Sequence, residues 1–229
     1  MIDEFILILN GASSSQSAPN FISIVKKSAE RYEILDEVKT TLRGGPERFP
    51  YYYQQFMKKN ILQSSQINFI AAIVGPGSFT GLRASLAFGS GLQFGLNCPV
   101  IGLTRGDVFF SSLDAEYCEK EFWHVTYARR NRVFIETNKN KHVSAYDLED
   151  VVIPDRELWI CGESAATLMN NESSFLHLYT DYKEADALKI AHAAMRCRGS
   201  STKIRAFYPV YVDPPEAKLP QKGLRPYPL

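Results

Sequence analysis

The sequence predicts an α/β fold in which mixed sheets are flanked by helices, and three observations carry that expectation. Strand-like runs open the chain, Phe69–Val74 is a short uninterrupted apolar run with β-branched residues, and a glycine-rich turn joins that run to an apolar helix. A run that is apolar at every position suits a strand covered on both faces.

Taken in order, Phe5–Leu9 and Asn20–Val25 read as strands, and Tyr32–Val38 completes a three-strand meander despite its mixed polarity. A helix is expected from Pro50, because proline is favoured at a first helical position and Tyr53, Phe56, Met57 and Ile61 then recur on one face. The strand Phe69–Val74, a helix from Leu82 to Phe94 and a strand Val100–Leu103 follow. In the second half Phe122–Thr126, Arg132–Thr137 and His142–Ala145 suggest another meander, and Leu158–Cys161 a strand. Gly162-Glu163-Ser164 is expected to open a helix, and Ala185–Arg198 to form one. The halves show no close sequence repeat. From Val212 to Leu229 the chain holds five prolines and little apolar periodicity, so this tail is expected to wrap the surface or move freely.

Composition narrows the function classes. With 229 residues and 45% hydrophobic content the chain can bury a substantial core. A formal charge of +1 gives no global basic field, so any nucleic-acid contact must be local. Cys98, Cys118, Cys161 and Cys197 form no CxxC pair, and the acidic start Met1-Ile2-Asp3-Glu4 precedes only five apolar residues. A disulfide framework, a signal peptide and a membrane span are therefore not expected, and the bacterial cytoplasm is the expected location. His124, His142, His177 and His192 lack metal-ligand spacing, so no metal or cofactor is expected. Trp123 and Trp159, beside strand-like runs, are expected in the core.

The turn itself, Gly75-Pro76-Gly77-Ser78-Phe79-Thr80-Gly81-Leu82-Arg83, joins a strand to a helix N-terminus, where free N–H groups attract anions. Its spacing fits none of the common phosphate loops. No lysine stands between Gly75 and Gly95 for a Walker loop, and the third glycine of a dinucleotide fingerprint falls one place late, at Gly81. Ser78 adjoins Gly77 and so is not a nucleophile elbow. What remains is a turn in which Ser78 or Thr80 caps the helix. Arg83, one turn in, suits an ordinary salt bridge or a bound carboxylate or phosphate. The helix carries little polar arc and is thin at Ala84, Gly89, Gly91 and Gly95, so it is either covered by its own domain or part of an apolar patch awaiting a partner.

Read as words, GPGSFTGLR, then Ala87-Phe88-Gly89-Ser90-Gly91-Leu92-Gln93-Phe94-Gly95, then Pro99-Val100-Ile101-Gly102-Leu103, resemble the signature of the TsaB family, also called YeaZ and once filed with M22 glycoproteases. Tyr127 to Phe134 and Pro209-Val210-Tyr211-Val212 resemble two further stretches of that family more loosely. The resemblance implies the two-lobed actin-like ATPase, sugar kinase and Hsp70 (ribonuclease H-like) fold, with lobes at 1–104 and 105–211 and a tail at 212–229. It implies a non-catalytic subunit in synthesis of threonylcarbamoyladenosine at adenosine 37 of tRNA. Such a subunit binds and stabilises a TsaD-like catalytic partner, with a TsaE-like ATPase in the assembly and tRNA met indirectly. The implied partner face takes Tyr52, Phe56, Ala84, Phe88, Gly91 and Leu92, which also makes a homodimer possible in isolation.

Departures from the family pattern point the same way. The first strand ends in Asn10 where relatives place an aspartate, Gly44-Gly45-Pro46-Glu47 replaces His-Ser-Glu, and Tyr127 replaces another aspartate. Each change removes a group that metal-dependent chemistry uses. The rival readings are an enzyme of this fold, either a small-molecule kinase or an M22-type metallopeptidase, and a self-associating scaffold. A basic cluster of Arg129, Arg130 and Arg132 with Lys139 and Lys141, interleaved with Tyr127 and Phe134, reads either as a candidate RNA contact or as a solvated hairpin.

Overall fold

The structure is a computed structural model, which describes residues 3–13, 18–42, 44–128, 131–169, 174–182, 184–199 and 206–212. Residues 213–229, where the proline-rich tail was expected to wrap or move, lie outside the described residues, as do Arg129 and Arg130.

Two five-stranded sheets organise the chain. In the first, β1 (Glu4–Asn10), β2 (Asn20–Ser28) and β3 (Arg31–Thr40) form the expected antiparallel meander, with Ile8 opposite Ser23 and Ile22 opposite Val38. The helix α1 (Phe49–Lys59) then leads to β4 (Ile67–Gly75), α2 (Phe79–Leu96) and β5 (Val100–Thr104), and β4 and β5 add parallel strands beyond β1. The apolar run of β4 is explained by its two covered faces. Ile70, Ala72 and Val74 meet α1 and α2 in a cluster with Leu7, Leu9, Tyr53, Phe56 and Leu86. Phe69, Ala71 and Ile73 face the other way, toward Ile190, Ala191 and Ala194 of α4 (Ala187–Gly199). Alternation of period two is thus hidden because both layers are apolar.

The second sheet repeats the first. Its order β8-β7-β6-β9-β10 joins an antiparallel meander of β6 (Phe122–Tyr127), β7 (Arg132–Thr137) and β8 (Val143–Asp147) to parallel β9 (Leu158–Cys161) and β10 (Leu176–Leu178). This duplicated strand order is that of the actin-like, ribonuclease H-like α/β fold. The helix expected after Gly162 is a single 3-10 turn, Ala165–Leu168. Ala165 and Leu168 lie three residues apart, so one such turn is enough to bury both beside Val125 and Ile160. An element the sequence reading missed is α3 (Arg105–Ser111), which links the sheets. Thr104 and Asp107 cap it reciprocally, a signal present in the sequence.

Two features fix how these layers meet. At the end of β1, Gly11 faces Gly81 of α2 with no room between: a Cβ on Gly81 would lie 2.4 Å from the Gly11 carbonyl oxygen, and one on Gly11 would lie 2.3 Å from that of Gly81. Between the sheets, a polar junction surrounds α3. Buried Glu136 of β7 accepts from the Thr104 hydroxyl and from the Gly106 N–H at 3.1 Å. Arg105 donates to Glu163 at 3.0 Å and to both oxygens of Glu184 at 2.8 and 3.0 Å. Burial would lower the basicity of this guanidinium, but the Glu184 and Glu163 carboxylates outweigh it and raise its pKa. Beside it, buried His124 lies 3.1 Å from the Tyr182 hydroxyl and stacks on Phe109. Burial, and then the charge of Arg105, hold its pKa well below the ordinary 6.5.

Replacing Gly81 by alanine is expected to cost about 1–3 kcal/mol by forcing α2 off β1. Gly91→Ala, where a Cβ meets nothing within 4 Å, should instead gain helix stability of up to about 1 kcal/mol. Urea unfolding of both variants checks the pair. For His124, the unfolded chain takes up a proton near 6.5 while the folded one resists it. Stability contributed by the neutral ring is therefore complete above that pH and falls as pH drops below it, by about 1.4 kcal/mol per unit until the folded pKa is reached. Unfolding curves from pH 8 to pH 5 should be flatter for His124→Phe than for the native chain.

Candidate partner-binding surface

The signature turn folds inward. Gly75 takes φ +134°, which only glycine adopts without strain, and the Gly75–Pro76 peptide is cis. The Ser78 N–H donates to the Ala12 carbonyl at 2.8 Å, while the Ser78 hydroxyl accepts from the Gly81 N–H at 3.3 Å and caps α2. The helix therefore begins at Phe79, ahead of the expected Leu82. Gly77 and Ser78 are half-buried and Gly81 buried, which leaves Phe79, Thr80 and Arg83 on the surface. Arg83 forms no salt bridge among the described residues, unlike the first of the two expectations set for it. Its Nε–H donates to the Tyr211 hydroxyl at 2.9 Å, and its guanidinium lies 3.6 Å from the Phe79 ring centre and 5.5 Å from that of Tyr211.

The residues of the implied partner face gather along the α1–α2 seam, but at different depths. Phe56 is 3% exposed and belongs to the floor of the seam. Tyr52, Phe88 and Leu92 are half-buried against the same cluster, with Phe88 edge-on to Tyr53 at 5.8 Å. Ala84 is half-buried, and Gly91 is exposed. Among the exposed residues of α2, Thr80, Arg83, Ala87, Gly91 and Phe94 form a row at helical spacing. Phe94 at its end is 86% exposed, and Tyr51 on α1 is 60% exposed. Neither Ala87 nor Phe94 was among the six site residues expected from sequence, although the spacing from Gly91 back to Ala87 and on to Phe94 was a legible signal. Neither helix carries an acidic side chain.

The segment 206–212 buttresses the inner side of this helix. The Val210 N–H donates to the Val74 carbonyl at 2.8 Å, and the Phe207 ring fills the space beside Gly89. Of the basic cluster, Arg132 pairs with Asp147 at 3.1 Å, and the Lys139 ammonium donates to the Glu119 carbonyl at 3.1 Å. His177 stacks on Trp159, and His192 lies tilted against Tyr32 at 3.8 Å. Trp123 and Trp159 pack at the margins of two clusters of the second sheet.

At the end of β1 a cleft of about 160 Å³ is lined by Asn10, Ser13, Lys39, Arg105, Glu184 and Asp186, among others. Its cations are engaged within the chain, Arg105 as above and Lys39 with Glu37 at 2.7 Å. The Asn10 side chain accepts from the Ala12 N–H at 3.1 Å and so caps the turn after β1. Tyr127 lies exposed, and its N–H donates to Glu163 at 3.2 Å. Among the described residues no three His, Cys, Asp or Glu side chains come together as a metal site, and no helix is long and apolar enough to cross a membrane.

Similarity to known proteins agrees with this arrangement. The family described as TsaD, tRNA N6-adenosine threonylcarbamoyltransferase, matches residues 43–155. A curated relative, the tRNA threonylcarbamoyladenosine biosynthesis protein TsaB of Buchnera aphidicola subsp. Baizongia pistaciae, is 47% identical over 51 residues, 22% of this chain. The match spans less than a quarter of that relative, 23% of its length. The solved structure of YeaZ from Pseudomonas aeruginosa shares the fold with a TM-score of 0.66 at 16% identity, covering 91% of this chain and 99% of that one. A second structure, an uncharacterized protein with similarity to peptidase YEAZ from the same organism, gives 0.66 at 16% identity over 92% and 100% of the two chains. Joined to the signature turn at 75–83 and the duplicated sheets, these likenesses make the chain similar to TsaB over a short stretch of sequence and to YeaZ in its fold.

Proposed function

We propose that this chain is a non-catalytic subunit in tRNA threonylcarbamoyladenosine synthesis, and that it works by seating the outer face of α2, with α1 beside it, on a TsaD-type transferase. The observation that carries the proposal is the exposed row on α2, small at Ala87 and Gly91 and ending in Phe94. Small side chains let a second helix approach to about 8 Å between axes, the close end of helix packing. Phe94 and Tyr51 supply aromatic surface of the kind that anchors protein interfaces. The glycines weaken α2 as an isolated helix, by roughly 1 kcal/mol each relative to alanine, and packing against a partner offsets that cost.

Chemistry at the transferred group belongs, in this reading, to the partner. Two features support that division. Asn10 stands where an acid would organise metal and nucleotide, and Arg105 in the cleft has its charge met by Glu163 and Glu184. Contact with tRNA and with a TsaE-type ATPase would then be made through the assembly. The exposed apolar row also favours a second reading, a homodimer through the same face, which the partner would displace.

Ala87→Arg places a charged side chain in the middle of the row without touching the core. It should weaken binding of the TsaD-type protein from the same genome by about 100-fold or more, roughly 2.7 kcal/mol, with an unchanged melting temperature. Sedimentation of the chain alone and with that protein, coupled to an assay for modified tRNA, checks this. A folded variant that still co-sediments would sink the assignment of the face, and a dimer that persists in the mixture would favour self-association. Phe88→Glu is the poorer probe, since Phe88 packs on Tyr53 and the change should unfold the seam.

A further inference from the structure

We propose that Arg83 is the ionic anchor of this docking face, held between Phe79 and Tyr211 to receive a carboxylate of the protein partner. The proposal rests on the docking reading above and adds to it the chemistry of the partner's surface. Arg83 belongs to the outward row of α2, one turn before Ala87. Its Nε is engaged by Tyr211, and its two terminal nitrogens form no hydrogen bond or ion pair with any described residue. The planar fork is therefore free along the edge that receives a carboxylate bidentately.

The fork is also held in place. One face lies on Phe79, and the Tyr211 hydroxyl fixes the Nε edge. Tyr211 in turn follows Val210, which is hydrogen-bonded to the end of β4. Arginine side chains lose considerable rotamer freedom on binding, and this one has already lost much of it in the free chain. Around the fork, Phe79 (58% exposed) and Tyr211 (55% exposed) form an apolar rim continuous with the row that leads to Phe94.

Charge identifies the occupant. The two helices carry Arg83, Lys58 and Lys59 and no acid, so an Asp or Glu brought opposite Arg83 meets no like charge on either helix. A nucleic-acid backbone would need a track of cations, whereas the row beyond Arg83 is apolar. The Phe79 face that a base would stack on is already covered by the guanidinium.

The test is titration calorimetry of the full chain against the TsaD-type transferase from the same genome, across a salt series. Arg83→Met should bind about tenfold or more weakly and with a shallower salt dependence, and Arg83→Lys should fall between it and the native chain. If Arg83→Met binds with native affinity and salt slope while Ala87→Arg does not bind, the anchor fails and the docking face stands. If the native chain does not bind the transferase, both fall. Should Arg83→Met melt early by releasing residues 206–212, Arg83→Lys decides: weaker binding at a native melting temperature supports the anchor, and native binding overturns it. A parallel titration with unmodified tRNA covers the alternative ligand. Loss of tRNA affinity in Arg83→Met with transferase binding intact would also overturn the proposal.

Discussion

The contact between Gly11 and Gly81 is the constraint on which the rest of the structure depends. Two backbones meet there with no side chain between them, so the first turn of α2 is pressed against the end of β1. Everything along α2 follows from that origin. Leu82, Ser85, Leu86 and Gly89 must turn inward, Phe207 can lie across Gly89, and the row from Thr80 through Ala87 to Phe94 must face out. Glycine thus does two jobs in one helix. Gly81 and Gly89 admit other parts of the chain, whereas Gly91 and Gly95 have open space beside them and leave room for something that is not part of it.

A second constraint ties the two sheets together. Arg105, at the first residue of α3, reaches Glu163 near the second sheet and Glu184 just before α4, which lies on the first. Glu136 reaches across to the start of the same helix. Buried pairs of this kind add little net stability compared with apolar packing, because desolvation offsets the attraction, but breaking one leaves an unmatched charge. Their effect is to specify one arrangement.

Much of the architecture was legible from residue patterns, for physical reasons. The apolar run of β4 announces itself because burial on both faces leaves no polar positions to confuse the period, whereas β3 was read as a strand despite its mixed polarity. The loop was legible as a helix start, since Ser78 is a good cap and the phosphate spacings fail. What escaped was set by distant contacts. The α3 helix is only seven residues long and is held by Glu136, thirty positions from Gly106. The turn after Gly162 buries Ala165 and Leu168 without a full helix. The outward side of α2 could not be read from polarity, because that helix is apolar nearly all round, and so half-buried Phe88 stood beside exposed Gly91 in the expected face. Arg83 was ambiguous for the same reason: its partner, Tyr211, comes from the other end of the chain.

Amide hydrogen exchange on the intact chain, with and without the TsaD-type transferase, tests the central claim most directly. The account predicts new protection in 79–96 and in 49–59, with the strands β6 to β10 unchanged. Protection confined to the second sheet, with α2 exchanging as in the free chain, would contradict it.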